Sequence, residues 1–232
     1  MGSTESRVPL ATYRVQLGPH LSLEQLTGLL SYFHDLGISH LYLSPCLRAA
    51  AGSTHGYDVV DPTEVNPELG GAERFDKLCA AAAALGVGLV IDIVPNHMAY
   101  HADNRMLSEV LEQGPHSRYA RFFDIDWNHP YEGLKGRALA PFLGDFFGEA
   151  IEKGEIRLEY DRAGFFIRYY DLRFPLSIQS YERILTHDPE RLQSGLSPTH
   201  PDFIKYLGIL YVLRTLSEPV PVTESDQRVR FV

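Results

Sequence analysis

The chain has 232 residues, 44% of them hydrophobic, enough to bury a substantial core. Its formal net charge is −9 and no basic run occurs, which argues against nucleic acid as a partner. No apolar stretch approaches the roughly 18 residues of a membrane span. The first ten residues also lack the apolar core of a signal peptide, so a cytoplasmic location without membrane contact is expected. Cys46 and Cys79 are too few for a disulfide framework, and their apolar surroundings predict buried free thiols.

In chain order, Ala11–Leu17 reads as a short strand with mixed faces, ended by Gly18-Pro19. Ser22 with Gln25 three residues on forms a capping box, and Leu23, Leu26, Leu29, Leu30, Phe33 and Leu36 follow at helical spacing. Gly37 supplies the stop. Ile38–Leu43 is an apolar run bounded by Ser44-Pro45 and predicts a second strand, parallel to the first across the helix. A long Gly- and Pro-rich loop is expected from Pro45 to Gly71. A second helix follows over about Ala72–Leu85, with Phe75, Leu78, Ala82 and Leu85 on one face. Val87–Val94 is a continuous apolar run, the pattern of a strand buried on both faces. The first 97 residues thus read as three βα units of an α/β fold.

Beyond Asn96 the rhythm breaks. A helix is expected within Gly144–Lys153, a hairpin from Ile156–Tyr160 and Phe165–Tyr169, and helices over Tyr181–Leu192 and Asp202–Leu216. Residues 98–232 are therefore expected to form an inserted subdomain, mostly helical with a hairpin.

Parallel α/β folds gather functional residues at the C-terminal ends of their strands. Those ends here carry Arg14 and Gln16 on the first strand, Ser44 on the second and Asp92 on the third. The loop after the second strand carries His55, Tyr57, Asp58 and Asp61, and Asn96 and His97 follow the third strand. A carboxylate inside the apolar run Leu89–Val94 is costly unless it is paired. Asp92 therefore reads either as a buried ion pair with Arg14 or as the base of a pocket. His97 reads as a satisfied loop histidine or as a second group of that pocket. Tyr57 is a loop aromatic that plugs the core or a platform for a sugar ring. Asp58 and Asp61 read as an acid–base pair or as turn and cap carboxylates. No Cys/His spacing supports a metal site built from His55, His97 and Asp92.

Taken together, His55-Gly56-Tyr57-Asp58, Asp61-Pro62 and Asp92-Ile93-Val94-Pro95-Asn96-His97 resemble the hallmarks of the α-amylase superfamily, glycoside hydrolase family 13. Within it, residues 11–17, 41–45, 52–62 and 122–126 are similar to the maltooligosyl trehalose synthases. The resemblance implies the first part of a (β/α)8 TIM barrel with an insertion after its third strand. It implies a maltooligosaccharide substrate and a retaining, intramolecular transglycosylation that turns a reducing-end α-1,4 linkage into α,α-1,1. It also implies no cofactor and no metal. Carried over by position, Asp92 and His97 line the subsite beside the scissile bond, Tyr57 stacks on the ring beside Asp58, and Asn96 braces the loop; His55, Arg14 and Gln16 complete the substrate-binding set. The family's Gly-x-Arg-x-Asp nucleophile motif is absent from residues 98–232. The resemblance therefore implies no catalytic residue in this chain, an inactive isolated fragment, and the rest of the barrel as its partner. The alternatives are another α-glucan hydrolase or glucanotransferase of the superfamily, and a glucan-binding module without chemistry.

Overall fold

Three short parallel strands carry the N-terminal half, β1 (Thr12–Val15), β2 (His40–Leu43) and, after an excursion, β5 (Gly88–Ile91), in the order β1-β2-β5. The structure is a computed structural model that describes residues 8–139, 141–190 and 195–217. The chain divides into two compact units, one ending at Leu107 and the other starting at Ser108.

In the first unit, α1 (Leu23–Asp35) starts where the sequence places it. The Ser22 side chain accepts from the Gln25 amide while the Gln25 side chain accepts from the Ser22 amide. That reciprocal pair satisfies two of the donors a helix start leaves open. Leu23, Leu26, Leu30 and Phe33 are buried, whereas Leu29 and Leu36 face out. Gly37, with φ of 85°, turns the chain out of the helix. The second helix, α2 (Gly71–Ala84), buries Leu78 and Ala82 and packs against α1. Both helices cover one face of the sheet, where Val15, Leu41 and Leu43 join them in a single core.

The segment expected to be a plain loop holds an antiparallel pair, β3 (Leu47–Ala49) with β4 (Val59–Val65), and a 3-10 turn over Pro67–Leu69. Two register shifts disturb the pair, and the Arg48–Glu64 ion pair at 2.7 Å ties it together. Period-2 alternation is broken there by Gly, Pro and the bulges, so the pattern carries no clean strand signal.

The third parallel strand, β5 (Gly88–Ile91), is shorter than the apolar run that announced it. It is also not buried on both faces: Val90 and Ile91 are about two-fifths exposed, and Ile93 beyond the strand more so. The reason is positional. β5 pairs with β2 on one side, and among the described residues no strand pairs with its other edge.

In the second unit, α3 (Arg105–Gln113) leads in across the division, and α4 (Phe147–Glu152) falls inside the expected helical stretch. The expected hairpin is present as β6 (Ile156–Asp161) and β7 (Gly164–Tyr169), and a third strand, β8 (Leu172–Pro175), extends it into an antiparallel sheet. This subdomain therefore carries a sheet as well as helices. Arg173 grips Asp161 with two hydrogen bonds, at 2.7 and 3.0 Å, closing β8 onto the sheet. Of the expected helix over Tyr181–Leu192, the structure shows α5 (Ile178–Leu185); residues 191 and 192 lie outside the described set. The last helix, α6 (Pro201–Ser217), packs on α5, with the Tyr206 hydroxyl donating to the Leu185 carbonyl at 2.8 Å. No helix among the described residues is long and apolar enough to cross a membrane.

Candidate functional site

Strand register sorts the first unit's side chains into two sets. Arg14 lies beside Tyr42 and Tyr42 beside Val90, while Val15, Leu43 and Ile91 align one residue on. Successive strand residues face opposite ways. Val15, Leu41 and Leu43 therefore point at the helices, and Arg14, Tyr42 and Val90 share the other face. Gln16 and Asp92, two residues beyond Arg14 and Val90, continue that face past the strand ends. Gly88 belongs to it as well, because a Cβ there would run into the His40 ring.

On this face Asp92 is the centre. Its Oδ2 accepts from the Tyr57 hydroxyl at 2.7 Å and from the Tyr42 hydroxyl at 3.0 Å. Of the two readings of Asp92, the ion pair with Arg14 is not formed directly. Its Nη2 donates to the Tyr57 hydroxyl at 3.3 Å and its Nη1 to Gln16 Oε1 at 3.0 Å, while its guanidinium lies over the Tyr42 ring, 5.7 Å from the centroid. The carboxylate is half-buried, so two phenols and solvent meet its hydrogen-bonding needs without a buried ion pair. The hydrogen bond to Asp92 raises the Tyr42 phenol above its ordinary pKa, because a phenolate beside the carboxylate is disfavoured. The Tyr57 hydrogen bond, ahead of nearby charges including Asp92, raises that of Arg14 further.

Tyr57 reaches the sheet from the loop between β3 and β4, and Gly56 makes that possible. Gly56 has φ of 77°, and a Cβ there would lie 2.7 Å from the Pro45 carbonyl oxygen. The loop can thus press against Pro45, with Tyr57 turned to Asp92. His55 completes the turn, its Nδ1 accepting from the Tyr57 amide at 3.0 Å and its ring stacked on Tyr57 with centroids 6.0 Å apart. Asp58 is taken up by the Ser53 hydroxyl, which also accepts from the Gly56 amide, and His55 Nδ1 lies 3.8 Å away.

Two groups of the sequence-based set lie apart from this network. Asn96 and His97 bond each other, Oδ1 to Nδ1 at 2.7 Å, on an exposed loop past β5. Asp61 does not pair with Asp58. Its Oδ1 accepts from the amide and the hydroxyl of Thr63, so it is a turn carboxylate. Among the described residues no three His, Cys, Asp or Glu side chains gather into a metal-holding group, which leaves the reading of His55, His97 and Asp92 as ligands without geometric support. Tyr42 is the member of this network that sequence reasoning missed. The available signal was a phenol inside the apolar strand Leu41-Tyr42-Leu43, two residues from Ser44, whose own hydroxyl accepts from the buried Leu17 amide at 2.8 Å.

The arrangement offers an oriented carboxylate, an aromatic ring beside it, and a guanidinium held one step away. Those are parts for gripping a hydroxyl-rich ring. Asp92 is the one carboxylate bonded within this network, so the network by itself does not supply the carboxyl pair that glycoside cleavage uses.

The family model for the α-amylase catalytic domain matches residues 22–175, more than half of the chain. The chain belongs to the α-amylase catalytic-domain family. A Mycobacterium tuberculosis relative named for maltooligosyl trehalose synthase is 49% identical over 142 residues, which are 58% of this chain and 18% of that protein. A crystal structure of a maltooligosyl trehalose synthase superposes with a TM-score of 0.66 at 39% identity, covering 72% of this chain and 22% of that one. A Sulfolobus tokodaii protein described as a hypothetical maltooligosyl trehalose synthase matches at a TM-score of 0.63 and 38% identity, over 81% of this chain and 24% of that one. The chain thus spans about a fifth of the length of these relatives. In this α-amylase-family chain, Arg14, Gln16, His55, Tyr57 and Asp92 stand in one hydrogen-bonded or stacked network. Asp58 borders it through His55, and Asn96 and His97 form a separate pair.

Proposed function

We propose that this chain is the N-terminal part of a maltooligosyl trehalose synthase. Residues 1–97 supply the first three βα units of its (β/α)8 barrel, and residues 98–232 form an insertion after the third strand. The complete enzyme converts the reducing-end α-1,4 linkage of a maltooligosaccharide into α,α-1,1 by intramolecular transglycosylation, consuming no water. The observation that carries the reading is Asp92 at the end of β5, fixed through one oxygen by Tyr42 and Tyr57, in a chain whose relatives bear that enzyme's name. Asp92 and Tyr57 define one wall of the subsite beside the scissile bond. Tyr57 presents its ring to the sugar, Arg14 and Gln16 hold Tyr57 in place, and His97 and Asn96 close over the sugar hydroxyls. The nucleophile and the acid/base are supplied from outside this sequence, so the isolated 232 residues turn over no substrate.

The test is incubation with maltopentaose of this chain and of a full-length relative that contains it. Loss of reducing ends without a fall in chain length, in the longer protein only, supports the proposal. Shorter reducing sugars move the parent to the hydrolases or glucanotransferases, and turnover by the isolated chain overturns the assignment of its residues.

A further inference from the structure

The second unit contains a cleft lined by none of the residues bonded around Asp92. Two adjoining cavities of about 450 and 520 Å³ run between the end of α3, the loop around Gly136 and the junction of β8 with α5. They share Leu111, Gly136, Arg137, Pro175, Ser177 and Gln179, so they form one continuous groove. That size is within the range of small-molecule sites. Trp127, the one tryptophan of the chain, lines it and is half-buried. Its carbonyl accepts from the Gly136 amide at 2.9 Å, and Gly136 has φ of 72°, so this turn sets Trp127 beside the loop that carries Arg137. Val110 and Phe174 give the groove an apolar floor.

Several polar side chains around it have no side-chain partner among the described residues. Arg118, Arg168, Arg173 and Arg214 each hold a carboxylate. Arg137 and Arg183, on the groove, have no side-chain acceptor among the described residues, and neither Glu112 nor Gln179 has a side-chain partner there. An indole face with guanidinium, amide and carboxylate groups left unused around it is the chemistry that binds a sugar. The ring packs on the indole, and planar polar groups bridge adjacent hydroxyls. Glu112 sets a carboxylate among the guanidiniums, so the groove mixes donors and acceptors, as a ring of hydroxyls requires.

We infer that this groove is a second binding site for a neutral oligosaccharide, taking its ligand class, an α-1,4-glucan, from the function proposed above. Trp127 is the stacking platform, and Arg137, Gln179 and Arg183 donate to the sugar hydroxyls.

Because the chain has one tryptophan, its emission reports on this groove alone. Titration of the 232-residue chain with maltoheptaose is expected to give a saturable change in Trp127 emission. Arg137→Ala is expected to weaken it about tenfold, the size of one charge-assisted hydrogen bond. Tyr57→Ala, in the other unit, is expected to leave it unchanged. Arg137 is exposed and unpaired, so its loss does not threaten folding, and calorimetry on Trp127→Phe checks the loss of binding without the optical probe. No saturable change, an undiminished response in Arg137→Ala, or a response to inorganic phosphate in place of the glucan overturns the site. Product analysis of the longer enzyme is a separate readout. A glucan-responsive Trp127 in a protein that makes no trehalose ends removes the proposed function and keeps the groove, and the reverse result removes the groove alone.

Discussion

Two phenols converge on a single oxygen of Asp92, and the consequence is readable at Tyr42. Its pKa is raised, so the neutral phenol is the form the fold favours. The stabilisation from that hydrogen bond is present below the ordinary tyrosine value of about 10 and is lost as pH rises through the raised one. Alkaline titration followed by ultraviolet absorbance, comparing the chain with Tyr42→Phe, should assign a late-ionising phenol to Tyr42. Asp92→Asn should bring that ionisation back toward the ordinary range. An unshifted Tyr42 in the unaltered chain would mean that the hydrogen bond to Asp92 does not persist in solution. Gly56 is the other residue on which the arrangement turns. Gly56→Ala puts a Cβ against the Pro45 carbonyl at a positive φ and is expected to cost about 1–3 kcal/mol in urea unfolding. It should also return the Tyr42 titration only partly, because Tyr57 alone is displaced. A neutral Gly56→Ala would show that the loop has room the structure does not display.

Among the elements, α1 and β5 are opposites. α1 has its cap, its stop and its buried stripe all written locally, and it forms as read. β5 has an apolar sequence on both faces, yet Val90 on one and Ile91 on the other are about equally exposed at its open edge. The centre and the edge of the sheet therefore predict different mutational costs. Leu41→Ala, in the fully buried centre of neighbouring β2, should cost about 2–5 kcal/mol. Val90→Thr, exposed on the opposite face, should fall within about 0.5 kcal/mol in this chain. The same Val90→Thr should be clearly destabilising in a longer relative whose further strands cover that face, and denaturant midpoints of the two proteins decide it. α6 poses a similar case. Phe203, Leu210 and Leu213 are buried, while Ile204, Leu207, Ile209 and Tyr211 are exposed on a helix that is apolar nearly all round.

For the whole molecule the net charge of −9 and the paired carboxyls shape the response to pH, Glu73 beside Lys77 in the first unit and two more in the second. Arg173 holds the Asp161 carboxyl below its usual pKa, and Lys153 does the same for Asp145. A depressed carboxyl stabilises the fold above its unfolded value of about 3.9, and that stabilisation is lost as pH falls through the lower folded one. Thermal unfolding should therefore shift downward as pH falls below about 4, the unfolded value of these carboxyls, and continue through their lower folded values. Arg173→Gln should flatten the part of that shift that belongs to the second unit. An acid response unaltered in Arg173→Gln would place its origin elsewhere. These groups are exposed or half-exposed, so the effect is modest and should shrink further in high salt.

Local rules were enough for the capping box at Ser22 and Gln25, the order of strand, helix and strand through β2, the helix ending before Gly86, and the β6–β7 hairpin. In each, the deciding contacts lie within a few residues of one another, so spacing and turn chemistry carry the information. The motif around Asp92, together with Tyr57 and its neighbours, was likewise legible, and it named most of the network's members. Their connections were not. That Asp92 is held by Tyr42 and not by Arg14 depends on the register of β1, β2 and β5, which brings together residues fifty positions apart. The β3–β4 pair was hidden by its irregular register, and the exposed end of β5 by the fact that burial depends on which strand lies alongside. Periodicity states which residues share a face; only the packed chain decides what that face meets.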